Sequence, residues 1–411
     1  MLQIDGTITN TSGSEQSGNF GMPLFRLGFR PFFLAAGVFA VIAMAVWMAS
    51  YLFAVDFKFA LLSPVQWHAH EMVFGYLMAV IAGFLLTAVK NWTGQEVLRG
   101  RGLAALFVLW LAARVMLLFD VGLPLWLIAA VDVSFMFILA LVCLRPVIKG
   151  RQYKQAGILA KLMLIAGFHL LYYLGVTGVL EHGERWGLYS AIYTVLALIL
   201  VMMRRVMPMF IKNGIDAQAG KDYEAKNRTW LDISSIVLLI VMWIADVFTD
   251  YIEVTAAAAA LLAVLHLLRL AGWYTRLIWS KPLVWVLVLA YAGLIAGFAL
   301  KAFSGVSNIF PHLALHAITV GGMGLVTIGM MSRVALGHTG RDVFNPPQAL
   351  FWCFLLLGAG FVVRALLPLF TMAYYPFWIA ASQVLWILAF AVFVMVYAPI
   401  LLSARVDGRD G

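Results

Sequence analysis

The sequence predicts an all-α membrane protein, twelve transmembrane helices in one bundle with both termini cytoplasmic. Three observations predict it. Of 411 residues, 64% are hydrophobic and 11% charged, against roughly 45–50% and 25% in a soluble domain, and a mean hydropathy of +0.96 extends over almost the whole chain. The apolar residues fall into twelve runs, each near the 20 or so residues that cross a bilayer. Basic residues alternate between the loops in a way that fixes one orientation.

In order, the runs lie at about 29–54, 65–89, 102–119, 122–144, 156–180, 186–207, 229–249, 254–272, 282–303, 309–335, 347–369 and 374–402. They are continuously apolar and do not alternate in ten-residue units, so helices are expected and not a β-barrel. No internal repeat stands out. The polar stretch 1–22 has no basic n-region and no small-residue cleavage site, so a disordered cytosolic tail is expected there. The transmembrane domain then covers 23–404, and 405–411 forms a second cytosolic tail.

The loops after the second, fourth and sixth runs carry Lys90, Arg99 and Arg101, then Arg145, Lys149, Arg151 and Lys154, then Arg204, Arg205, Lys212, Lys221, Lys226 and Arg228. The other side holds Asp56, Asp120, Glu181, Glu184, Asp250 and Glu253, with Lys58 and Arg185. The positive-inside rule puts the basic loops, and with them both termini, in the cytoplasm. The net charge of +9 therefore encodes orientation, and no nucleic acid is expected as a partner. Two cysteines, Cys143 and Cys353, lie inside apolar runs, and no CxxCH motif is present, which excludes covalent c-type haem.

Eight histidines are an ordinary number, so their depth carries the information. The second run opens with Trp67-His68-Ala69-His70-Glu71, and the tenth with Pro311-His312-Leu313-Ala314-Leu315-His316. The i,i+4 spacing of His312 and His316 puts both rings on one helix face. His169, beside Tyr172 and Tyr173, falls in the same outer half, so five histidines share one layer. His68 could instead snorkel at the interface, His182 be merely solvated, and His169 or His266 be packing residues that bridge helices. His70 and His316 are the deepest of their pairs, and intramembrane ionisable groups usually mark function. Neutral imidazole suits iron, copper and zinc, so the layer points to haem, copper or both. Glu71, next to the His pair, is the candidate proton relay, with Tyr172 a second catalytic candidate. Met202, Met203, Met207, Met209, Met330 and Met331 lie away from this layer and read as packing.

A second cluster is expected at the inner face: Phe29-Arg30-Pro31-Phe32-Phe33, Asn91-Trp92-Thr93-Gly94, Arg204-Arg205, Arg333 and Gly337-His338-Thr339-Gly340-Arg341. His338 follows His316 by 22 residues, about 33 Å along a helix, so the two cannot share a site. The cluster is either a plain basic, aromatic membrane interface or a lipid-headgroup, quinol or haem-propionate site with Arg30, Trp92, Arg333, His338 and Arg341 as its binding residues.

These motifs, with Met72, Phe74-Gly75, Gly83-Phe84-Leu85-Leu86-Thr87-Ala88 and His316-Ala317-Ile318-Thr319-Val320-Gly321 through Ser332-Arg333, together resemble the NnrS family. The likeness extends over essentially the whole chain. It implies a multi-pass bacterial inner-membrane protein with haem b and copper, belonging to the response to nitric oxide and nitrosative stress. Many members of that family carry a His in the ninth span, where this chain reads Leu287-Val288-Leu289. The haem–copper oxidases offer an analogy in their twelve spans and in haem histidines on the second and tenth. Their copper ligands come from the sixth and seventh spans, which hold no His here, so copper must be held differently. On this reading the metal-ligand candidates are His68, His70, His169, His312 and His316. The expected function is reduction or scavenging of nitric oxide, with electrons from quinol or an external donor. The alternatives are a non-enzymatic sensor or protective protein and, against the long gapless runs, a copper or haem transporter.

Overall fold

The computed structural model describes residues 22–59, 62–215 and 223–409. The expected disordered tail at 1–22 therefore lies outside the described residues, apart from Met22. Among the described residues, twelve helices are long and apolar enough to cross a membrane. They are α1 (Phe29–Phe53), α2 (Pro64–Thr93), α3 (Gly100–Leu118), α4 (Leu125–Lys149), α5 (Tyr153–Val176), α6 (Gly183–Gly214), α7 (Thr229–Phe248), α8 (Ile252–Trp273), α9 (Pro282–Ala302), α10 (Phe310–His338), α11 (Ala349–Leu369) and α12 (Tyr375–Leu402).

Consecutive helices pack as neighbours, and α12 returns to pack along α1, which closes the ring. Arg30, at the start of α1, donates to Leu401 O at 2.9 Å and to Ser403 O at 2.6 Å just beyond α12, so the start of α1 and the end of α12 lie at one end of the bundle. Lipid supplies no hydrophobic drive between helices, so close packing and polar bridges must hold them. Tyr76 and Thr327 bond at 2.7 Å between α2 and α10, and Trp386 Nε1 donates to Ala40 O at 3.2 Å between α12 and α1. Gly293 of α9 sits so close to Gly321 of α10 that a Cβ on it would meet backbone at 2.5 Å. α2 is the most enclosed helix, with 83% of its membrane window buried against 33% for α3, α7, α8 and α11.

Three of these helices contain a π-helical segment. α2 is π-helical over Glu71–Leu77, α10 over Ala317–Gly324 and α11 over Val362–Leu366. The first begins immediately after His70 and the second immediately after His316. An extra residue in a turn rotates the following face by about 100°, and such turns concentrate at functional sites. The helices run on through these segments without unwound breaks. The chain expected as a tail from 405 folds back as far as Arg409: Arg405 donates to His338 O at 3.2 Å, and Val406 N to Thr339 O at 3.2 Å.

Candidate metal centre

Pro64 opens α2 behind a capping box, in which Ser63 accepts from Gln66 N and Gln66 accepts from Ser63 N. This fixes the first turn, and two turns later His70 arrives fully buried at the end of the bundle away from the start of α1 and the end of α12. His169 of α5 meets it there, with the two Nε2 atoms 2.9 Å apart. Asp132 of α4 completes the group: its Oδ2 is 3.4 Å from His70 Nε2 and 3.3 Å from His169 Nε2. All three are buried, and they form a group able to hold a metal ion.

The surrounding side chains hold these donors in place. His70 Nδ1 bonds Glu71 Oε1 at 2.9 Å, the carboxylate–histidine arrangement that orients a metal-ligating ring. Arg114 of α3 donates to the same Glu71 oxygen at 2.7 Å and to Asp132 Oδ1. Tyr173 donates to Asp132 Oδ2 at 2.9 Å, and the Phe74 ring stacks on His169 with centroids 4.0 Å apart. Gly75 makes room for Arg114: a Cβ there would meet its Nη1 at 2.8 Å and Phe39 at 2.8 Å. Glu71 Oε2 and His169 Nδ1 are buried without a partner. Two acidic side chains and two imidazoles around one guanidinium give this buried site the oxygen and nitrogen donors that a cation takes.

The spacing can be compared with that of metal ligands. Two imidazoles on opposite sides of a haem iron stand about 4 Å apart, twice a metal–nitrogen bond of about 2.0 Å, whereas adjacent ligands of one ion stand about 2.9–3.4 Å apart. The triangle of 2.9, 3.3 and 3.4 Å matches adjacent ligands. A single ion fits this triangle. Two imidazoles with one carboxylate suit copper or zinc.

His70 and His316 do not share this site. His316 lies on α10, where its Nδ1 donates to His312 O at 2.7 Å and its Nε2 accepts from Arg364 Nη2 at 3.2 Å. His68 turns toward this second group. Its ring stacks on Trp47 at 4.5 Å, its Nδ1 is buried without a partner, and it is within electrostatic range of both Arg364 and His316. The five-histidine layer is thus two clusters: His70 with His169, and His68 with His312 and His316.

The sequence matches the NnrS protein family over residues 23–405. The chain belongs to the NnrS family. Membership fits a membrane protein of the nitric oxide response. No curated protein matches it.

The remaining candidates of this NnrS-family chain are placed as follows. Tyr172 packs its ring 5.1 Å from His70 but donates its hydroxyl to Gln66 O at 3.2 Å, so Tyr173 is the tyrosine whose hydroxyl reaches the metal-ligand group. At the terminal end, Arg30 and His338 come together around Phe29, with Arg341 and Arg405 within electrostatic range of Arg30. Trp92 instead lies edge-on to Phe84, and Arg333 lies 4.0 Å over the Phe210 ring. His266 bonds Tyr291 at 2.6 Å and stacks on Phe298.

Asp132, Arg114, Tyr173 and Arg364 were not among the sequence candidates for these sites. The signal was present: Arg114, Asp132 and Arg364 each interrupt an apolar run, and an ionisable residue inside a span calls for a partner.

Proposed function

We propose that this protein binds a single copper ion at His70, Asp132 and His169 and acts on nitric oxide there, reducing or scavenging it. The observation that carries the reading is the buried group of two imidazoles and one carboxylate with the spacing of adjacent ligands. A bound copper ion would supply a redox-active, Lewis-acidic centre for nitric oxide. The chain's own residues do the rest. Glu71 Oε1 orients His70, while its unpartnered Oε2 is positioned to take up and release a proton. Arg114 holds Glu71 and Asp132 in register, and Tyr173 fixes the Asp132 oxygen that faces the two rings.

Haem b, the second expected cofactor, belongs with the other cluster in this reading. There His68 has a buried nitrogen without a partner, and His312 and His316 lie nearby. The basic, aromatic group of Arg30, His338 and Arg341 at the terminal end is the place for a quinol donor or a lipid headgroup. Family membership and the basic loops support a bacterial inner-membrane location with that end cytoplasmic.

The test is nitric oxide consumption by proteoliposomes supplied with a quinol. Copper-loaded protein is expected to turn over, while metal-stripped protein and the His169→Ala variant are expected not to. Uptake that stops at one nitric oxide per chain would replace turnover with sensing or protective binding.

A further inference from the structure

Arg364 is a cation within the membrane span that no carboxylate among the described residues answers. Its Nη1 donates to the Tyr375 hydroxyl at 3.2 Å and its Nη2 to His316 Nε2 at 3.2 Å, and both partners are neutral groups. Several other cations in the bundle do have a carboxylate partner. Arg114 has Glu71 and Asp132, Arg204 and Arg269 share Asp232, and Lys301 has Asp246. A lone Arg near a helix end can snorkel to the interface. Arg364, five residues before the end of α11, instead spends its two bonded donors on protein groups of α10 and of the start of α12.

The backbone is shaped around this group. Arg364 lies inside the π-helical turn Val362–Leu366, and His316 is the last residue before the π-helical segment of α10. These two segments pack against each other. His68 brings a buried, unpartnered Nδ1 within electrostatic range of Arg364. The Tyr375 hydroxyl, an acceptor toward Arg364, still has its own proton to donate.

We propose that Arg364, with Tyr375 and the imidazole of His68, forms a binding site for a carboxylate or a planar oxyanion of similar size. Guanidinium presents two parallel donors that match such an anion, and the added charge answers the cation left uncompensated in the span. The anion has two possible sources with the same chemistry, the propionate of a bound haem or a free oxyanion such as nitrite. The inference stands on the charge of this cluster and needs no metal at His70 and His169.

The test titrates sodium nitrite and sodium formate into the full-length protein in zwitterionic nanodiscs, with chloride at equal ionic strength as control. It is run on haem-free and on haem-loaded protein. One nitrite or formate per haem-free chain is expected, with Arg364→Gln at least tenfold weaker. Arg364→Lys, which keeps the charge and loses the fork, should fall between them. Tyr375→Phe leaves the cation in place and should weaken binding about three- to tenfold, the cost of one hydrogen bond, which gives an independent reading if Arg364→Gln does not fold. If a propionate is the occupant, haem loading abolishes nitrite binding and Arg364→Gln loses haem. If a free anion is the occupant, loaded and haem-free protein bind nitrite alike. Binding no stronger than chloride in the haem-free parent, or equal binding by the parent and by whichever of these variants folds, would overturn the proposal.

Discussion

His70 and His169 are 99 residues apart in the chain, yet their Nε2 atoms lie 2.9 Å from each other inside the bundle. Two neutral imidazoles at that separation can share one proton or one metal ion. The Asp132 oxygen on the third corner, 3.3 and 3.4 Å away, favours the ion. The helices that carry the three ligands are neighbours or nearly so around the ring, so binding one ion ties α2, α4 and α5 together.

That tie makes stability depend on the metal. Copper should raise the melting temperature of the parent, by an amount set by its concentration relative to the dissociation constant. Chelation should reverse the rise. His169→Ala should show neither effect, and a thermal shift assay with and without chelator checks this.

Arg114 holds two buried carboxylates apart. Replacing it with Met removes the shared cation and leaves both acids uncompensated, an effect expected to cost about 3–5 kcal/mol. The double variant Arg114→Met with Asp132→Asn should recover part of that loss. Unfolding midpoints of the two variants decide the point, and equal midpoints would show that the charge balance is not what Arg114 supplies.

Glu71→Gln keeps the shape beside His70 and removes the titratable group. Metal affinity is expected to fall by about 10–100-fold, as it does when a partner that orients a ligating His is lost. With copper held in excess, nitric oxide turnover should still be lost. An electrode trace equal to that of the parent would remove Glu71 from the proton path.

Orientation follows from the basic loops. A reporter fused after the last helix should be active only in a cytoplasm-dependent form. Activity of a periplasm-dependent reporter at that position would turn the bundle over and move the His70 site to the inner face.

The twelve spans were legible because each apolar run is long and its ends are marked by charge or proline, and most of the structure's boundaries fall within a few residues of the expected ones, although α6 runs on to Gly214, well past the expected 207. The pairing of histidines was not. The sequence places His70 and His316 at similar depth, but depth says nothing about which way a ring points around its helix. The π-helical turns after both residues re-aim the faces that follow, and no residue pattern announced them. Asp132 and Arg114 were readable as charges inside apolar runs. Their bond to each other depends on how α3 and α4 pack, which the sequence alone does not state.

The central claim is that His70, Asp132 and His169 together ligate one copper ion. Paramagnetic resonance of the Cu(II)-loaded protein tests it most directly, because coupling to ligand nitrogen counts the imidazoles. The account predicts one copper per chain, coupled to two nitrogens in the parent and to one in His169→Ala at saturating metal, with a changed spectrum in Asp132→Asn. A copper spectrum left unchanged by both substitutions would contradict it.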